Sequence, residues 1–350
     1  MLYDHVADLP LTVETVSVDR HERDTSSGFT RATTVVSLSG DGATGRGEDV
    51  TYDADEHDPA KWDALDLPLA GEYTLDSFSG LLAETDLFPD PIDREVFHNY
   101  RRWGFESAAL DLALRQADTT LADLLDRSVD PVRFVVSTRL SAAESDEPPT
   151  TDRVHRLLER DPDVEFKLDP TPNWTPEVID DLAETGAVRT LDFKGHYEGT
   201  EVETPPDPDL YERLLDAFPD AVVEDPALTN ATRPLFEGRE DRVAWDAPIH
   251  GIEDVEALPF EPSWLNIKPS RFGSVERLLA TLDYCFERDI AMYGGGQFEL
   301  DVGRLHIQRL AALFYPDAPN DVAPGGYNDP EPPAGLPSSP LDVSSDGPGF

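Results

Sequence analysis

The chain predicts an α/β protein: a modified (β/α)7β barrel preceded by a smaller α+β capping domain. Three observations carry this. From Pro131 onward, short apolar strands alternate with amphipathic helices, the pattern of a parallel sheet built from βα units. Before that point, strands come first and helices follow. And 350 residues suit a barrel of about 250 residues plus a smaller partner.

The capping region covers residues 1–128. LTVETVSVDRHE, TRATTVVSLSG and GRGEDVTY alternate apolar and polar side chains and read as three strands. GDGATGRG supplies the glycine-rich turn between the second and third. Helical periodicity then takes over. FESAALDLALRQ puts Phe105, Ala108, Ala109 and Leu112 on one stripe, and TTLADLLDR begins another helix.

The barrel covers residues 129–323. Its strands are VRFVVST, DVEFKL, AVRTLDF, DAVVED, RVAWDA, SWLNIK and DIAMYG, with a weak eighth near Pro319–Ala323. TPEVIDDLAETG, DPDLYERLLDAFPD and SVERLLATLDYCFERD are among the intervening helices. Seven strands and a weak eighth fit a closed barrel better than an open doubly wound sheet. No GxGxxG follows a strand and opens a helix, which argues against a dinucleotide fold. The tail, 324–350, is rich in Pro, Gly, Ser and Asp and is expected to be irregular.

Composition narrows the function. Asp and Glu number 72 against 28 Lys and Arg, a net charge of −44, with 39% hydrophobic residues. Such a surface keeps a protein soluble in strong salt, where screening reduces self-repulsion. It is similar to that of haloarchaeal cytoplasmic proteins. No basic stripe exists to meet phosphates, so nucleic acid and anionic membranes are poor partners. The one cysteine, Cys285, lies in a helical stretch and reads as a buried apolar residue. A disulfide within the chain and a thiolate metal cluster are excluded. MLYDHVADLPL has neither a basic start nor an apolar core, and no apolar run approaches 18 residues, so neither a signal peptide nor a membrane span is expected. A cytoplasmic location follows, and a homo-oligomer is compatible with it.

The chemistry lies in a series. Lys167, Asp192, Glu224, Asp246 and Lys268 fall at or near the carboxyl ends of successive strands. In a parallel barrel such ends form one mouth. Asp192, Glu224 and Asp246 would converge there, and three close carboxylates cannot all stay ionised without a cation. Oxygen donors without Cys or His favour Mg²⁺ over zinc. Lysine is scarce in the chain, and a lysine near a bound cation and a second ammonium can have a depressed pKa and move protons. Two lysines on opposite sides of one cation suit removal of a proton from one face of a carbon acid and delivery to the other.

The chain here resembles the enolase superfamily over nearly its whole length. GDGATGRGE and RWGFESAALDLALRQ look like that family's capping domain, and the rest like its modified barrel. The resemblance is strongest to the muconate-lactonizing and dipeptide-epimerase branch, through Lys268 in LNIKPSRFGS. It implies Lys167 and Lys268 as acid and base, Asp192, Glu224 and Asp246 as Mg²⁺ ligands, and a small carboxylate as substrate. The implied reaction abstracts a proton α to the carboxylate and ends in racemisation, epimerisation or β-elimination.

Departures from the family pattern point to a different substrate. Glu165-Phe166-Lys167 stands where lysine-x-lysine is common, Lys194 where asparagine is usual, and Ala247 where an acid is usual. Lys194 and Arg271 are candidates to hold a substrate carboxylate. Gln297 and Glu299, beside three glycines in MYGGGQFELDVGR, are placed at the mouth by the resemblance. His196 and His250 follow strands three and five and read as surface residues. Tyr3, Asp4, His5 and Phe29 lie in capping loops that, by fold analogy, close over the barrel. Two other readings stay open: a carboxylate- or metal-binding protein without activity, and an aldolase-like barrel using one Schiff-base lysine.

Overall fold

The computed structural model describes residues 1–140, 149–197, 204–343 and 347–350. The last residues of the LDFKGHYEG stretch, 198–199, lie outside the described residues.

The cap begins with β1 (Pro10–Val13) and β2 (Thr15–Asp24). The first predicted strand is thus two, broken at Glu14. β1 pairs antiparallel with β5 (Gly71–Thr74) in a sheet of its own. β2 pairs with β3 (Thr30–Gly40), and β3 with β4 (Ala43–Asp49), as an antiparallel meander. Helices α1 (Pro59–Asp63), α2 (Leu75–Ala83), α3 (Val96–Gln116) and α4 (Leu121–Leu125) complete it.

Helix α3 is buried on nearly every side, with Phe105, Ala108, Ala109 and Leu112 fully so. It lies directly on β4, and two glycines permit this. A Cβ on Gly45 would sit 2.3 Å from the Ala108 carbonyl oxygen, and one on Gly47 would sit 2.1 Å from that of Gly104. The turn expected over GDGATGRG is therefore shorter. Gly42, with φ of 76°, makes the turn, whereas Gly45 and Gly47 make room for a helix.

The barrel strands are β6 (Val135–Thr138), β7 (Glu165–Leu168), β8 (Val188–Asp192), β9 (Val222–Glu224), β10 (Val243–Trp245), β11 (Trp264–Ile267) and β12 (Ala291–Gly294). They form one parallel sheet in sequence order. The intervening helices are α5 (Asp152–Arg160), α6 (Pro176–Thr185), α7 (Pro208–Ala217), α8 (Ile252–Glu256), α9 (Pro269–Phe272), α10 (Val275–Glu287) and α11 (Val302–Phe314). Thr175, Asp207 and Ser274 cap α6, α7 and α10 with their side-chain oxygens.

The expected eighth strand is reduced to two residues. Val135 N donates to the Asn320 carbonyl at 2.8 Å, and Asp321 N to the Gly294 carbonyl at 2.8 Å. Residues 320–321 thus bridge β6 to β12 and close the barrel. The Asn320 side chain does much of the work. Its Oδ1 accepts from Gly294 N at 2.6 Å, and its Nδ2 reaches the carbonyls of Arg133, Tyr315 and Ala318.

The tail is more ordered than its composition suggests. Gly325–Asn328 forms a 3-10 turn, and Leu341 pairs antiparallel with Val132. Phe350 is buried, stacked on His306 of α11 at 4.3 Å and edge-on to Trp103 of α3. Cys285 is buried as expected.

Candidate active site

Strand alternation decides which side chains enter the barrel. Registers pair Asp192 with Glu224 and Glu224 with Ala244. Counting by twos from these positions puts Lys167, Asp192, Glu224, Asp246 and Lys268 on the inward face at its carboxyl end. All five are buried. Asn266 and Tyr293 share that parity one step further down β11 and β12.

Each carboxylate of the series is held by cations. Lys167 Nζ donates to Glu224 Oε1 at 2.6 Å and lies 3.2 Å from Asp192 Oδ2 and 3.6 Å from Asp321 Oδ2. Lys194 Nζ bonds Asp192 Oδ2 and lies 3.9 Å from Asp169 Oδ2. It does so from a left-handed backbone, φ 53°, uncommon for a side chain of this kind. Lys268 Nζ donates to Asp246 Oδ2 at 2.7 Å. Arg271 Nε donates to Asp246 Oδ1 at 3.0 Å, and the Tyr197 hydroxyl to Oδ2 at 2.8 Å.

Glu224 is the node of this network. Its Oε1 takes Lys167, and its Oε2 takes Asn266 Nδ2 at 3.1 Å and the Tyr293 hydroxyl. Asp225, next in the chain, accepts the backbone N–H of Asp246 at 2.9 Å and of Ala247 at 2.8 Å. It thereby fixes the end of β10. Oxygens of Asp192, Glu224 and Asp225 lie within 4.8 Å of one another, all three residues buried.

The electrostatics follow from a count. Among the described residues, Asp169, Asp192, Glu224, Asp225, Asp246 and Asp321 are six carboxylates, and Lys167, Lys194, Lys268 and Arg271 are the four cations in ion pairs with them. Two negative charges remain when all are ionised. Burial, with Asp192 and Asp246 nearby, pushes Glu224 well above the usual carboxylate range. Burial, with Asp246 and Asp192, pushes Asp225 up to about 7. Asp192 and Asp246 move the other way. Burial alone would raise both, but Lys194 and Lys167 outweigh it at Asp192, and Arg271 and Lys268 at Asp246.

A divalent cation carries the charge this site is short of, and buried oxygen donors with neither Cys nor His suit a hard ion. The donor set fits Mg²⁺. Asp192 and Glu224 would hold it in either of two arrangements: with Asp246, the adjacent strand's carboxylate, or with Asp225, which lies in the tight oxygen cluster.

Lys167 differs from expectation. Burial alone would lower its pKa, but Glu224, Asp192 and Asp321 hold it well above the ordinary lysine range. In this arrangement it keeps its proton. Lys194 and Arg271, read from sequence as substrate anchors, are here spent on Asp192 and Asp246.

The β12 loop closes the site against the cap. The Gln297 carbonyl accepts from Arg31 Nε at 3.1 Å, and its Nε2 donates to the Tyr100 hydroxyl at 3.1 Å. Glu299 Oε1 accepts from Gln297 N at 2.8 Å, and Oε2 lies 3.5 Å from Arg304. Phe29 of the cap meets Phe298 edge-on at 5.5 Å. His196 lies beside the Trp245 ring at 5.4 Å, and His250 is half-buried near Asp254.

Sequence reasoning missed Asp169, Asp225, Asn266, Tyr293 and Asp321. Parity would have found Asn266 and Tyr293, each two residues before a named site residue or mouth glycine on the same strand.

Comparison with known proteins bears on this arrangement. Family models for a domain of unknown function, DUF8230, match the chain as an N-terminal domain over residues 4–124 and a C-terminal domain over residues 128–329. The chain belongs to this family. No curated protein matches it. Solved structures do. A dipeptide epimerase from Methylococcus capsulatus, complexed with Mg and the dipeptide L-Arg-D-Lys, is 17% identical with a TM-score of 0.68, covering 91% of this chain and 92% of its own. Muconate lactonizing enzyme from Pseudomonas putida is 18% identical with a TM-score of 0.62, covering 87% and 85%. An enolase superfamily member from Listeria innocua is 19% identical with a TM-score of 0.63, covering 90% and 86%. The chain has the enolase-superfamily fold, a TIM-like barrel with an N-terminal cap.

Proposed function

We propose that this protein is a Mg²⁺-dependent enzyme that moves a proton α to the carboxylate of a small acid. The outcome is racemisation or epimerisation, or β-elimination where the β carbon carries a leaving group. One observation carries the reading: a barrel mouth whose described, ion-paired side chains leave two negative charges in excess, with a lysine on each side of it. The structural relatives add that this fold accommodates Mg and a dipeptide in one of them.

In this reading the cap (1–128) covers the barrel (129–323), and the tail (324–350) straps the two together. Asp192 and Glu224, with Asp246 or Asp225, hold the cation. When bound, it would supply positive charge to a substrate carboxylate as the α-proton leaves. Lys167, on β7, and Lys268, after β11, serve opposite faces of the α carbon. Lys167 enters as the acid, its ammonium lying beside Glu224, Asp192 and Asp321. Lys268, which here donates to Asp246, must first release that proton to solvent; it then takes the α-proton, and the roles exchange in the reverse direction. Lys194 and Arg271 would reach a substrate carboxylate only by releasing Asp192 and Asp246, and Gln297 and Glu299 bound the pocket on the cap side. The acidic surface suits a cytoplasm rich in salt.

The test follows the α-hydrogen of acid sugars and dipeptides in D₂O with Mg²⁺, using wild type and Lys268→Ala. The reading expects exchange with at least one acid and its loss in the variant. Exchange unchanged in the variant removes Lys268 from the mechanism.

A second reading, a binding protein without turnover, is favoured by the engagement of Lys167, Lys194 and Arg271 with carboxylates. It expects acids to bind with Mg²⁺ and none to exchange.

A further inference from the structure

Glu224 has both carboxylate oxygens engaged, and its two sides differ. Oε1 faces Asp192: Lys167 Nζ lies 2.6 Å from it and 3.2 Å from Asp192 Oδ2. Oε2 faces away, toward β11 and β12. There it receives two donors, Asn266 Nδ2 at 3.1 Å and the Tyr293 hydroxyl. Neither donor has freedom to leave. Tyr293 is fully buried, its ring packed inside the barrel with Val222 of β9, Ala244 of β10 and Trp264 of β11. Asn266 is 1% exposed, and a Cβ on Gly295 would sit 2.3 Å from its Oδ1.

We propose that Tyr293, with Asn266, is the positioning residue of the cation site: it pins Glu224 Oε2 so that Glu224 offers Oε1 alone. This rests on the reading of Asp192 and Glu224 as cation ligands. A carboxylate held by one oxygen cannot swing to clasp a cation with both, so Glu224 would fill one coordination position and not two. The same restraint keeps Oε1 where Lys167 meets it, so cation and Lys167 compete for one oxygen. Outer partners of this kind set ligand orientation, and their loss commonly costs 10–100-fold in metal affinity. Strand parity places Tyr293 at the mouth, but its bond to Glu224 is not legible in the apolar strand DIAMYG.

The test uses the full chain and the metal alone. Mg²⁺ affinity is measured by calorimetry, and Mn²⁺ by its electron paramagnetic resonance spectrum, for wild type, Glu224→Gln, Tyr293→Phe and Asn266→Ala. Thermal melts in EDTA report folding. Tyr293→Phe keeps the ring and removes only the hydroxyl. It is expected to weaken Mg²⁺ binding about 10-fold or more and to change the Mn²⁺ line shape, with little change in the melt. Asn266→Ala, which removes the second donor to the same oxygen, is expected to shift affinity in the same direction. Affinity within twofold of wild type in both variants, while Glu224→Gln abolishes binding, overturns the positioning role and leaves the site standing. A lowered melt with unchanged affinity makes the hydroxyl structural and also overturns it. Absence of binding by the wild type removes the site and the proposal together.

Discussion

The cap and the barrel mouth each bury acids against bases, and they do it differently. In the cap, Asp49 and Arg101 are both fully buried and their partners match them in number. Arg101 gives Nε to Asp49 at 2.8 Å and its other nitrogens to the carbonyls of Leu87 and Glu56, between the Trp62 and Phe88 rings. Asp49 also accepts from Thr51 N and Oγ1. At the mouth, six carboxylates face four paired cations among the described residues, and Glu224 and Asp225 resist ionising. Matching charges build structure, whereas a standing excess is poised to receive a ligand.

The contrast can be broken first at its stable side. Arg101→Ala leaves Asp49 buried and unpaired and is expected to cost about 3–5 kcal/mol, read by denaturant unfolding. Arg101→Lys should recover little of this, since one ammonium cannot meet three acceptors spread around a planar fork. At the mouth, Glu224→Gln removes a charge that burial disfavours. It should leave the metal-free fold about as stable as wild type, or more so, while abolishing Mg²⁺ binding. A large loss of stability there would make the two regions alike.

One aspartate from each region should respond oppositely to pH. Asp49 is held down: burial would raise it, but Arg101 and His57 outweigh that. Its contribution is present above the usual carboxylate value and lost as pH falls through the lowered one. Asp225 is raised, from 3.8 to about 7. Across that window the folded state binds more protons than the unfolded one, so stability falls as pH rises. Melts in EDTA between pH 4 and 7, wild type minus Asp225→Asn, isolate this fall. Saturating Mg²⁺ should flatten it. A difference curve rising with pH would contradict the assignment.

Much of this was legible in the sequence, for physical reasons. Each barrel strand is a short apolar run ending in a polar residue, and parallel barrels put such ends in one place. Lysine was the strongest signal. The chain has four lysines, Lys61, Lys167, Lys194 and Lys268, and the last three converge on the mouth. What stayed hidden depends on contacts between distant segments. Gly45 and Gly47 look like turn residues until α3 is seen pressed on β4. Asn320 closes a barrel with its side chain, for which no strand pattern exists. Lys194 and Arg271 look free to hold a substrate until Asp192 and Asp246 are seen beside them.

Whether a cation answers the charge excess at the mouth decides the proposed function. Calorimetric titration of the EDTA-stripped chain with Mg²⁺ tests this directly. One ion per chain is expected, with binding lost in both Asp192→Asn and Glu224→Gln. Absence of saturable binding at millimolar Mg²⁺, or undiminished binding in those variants, would contradict it.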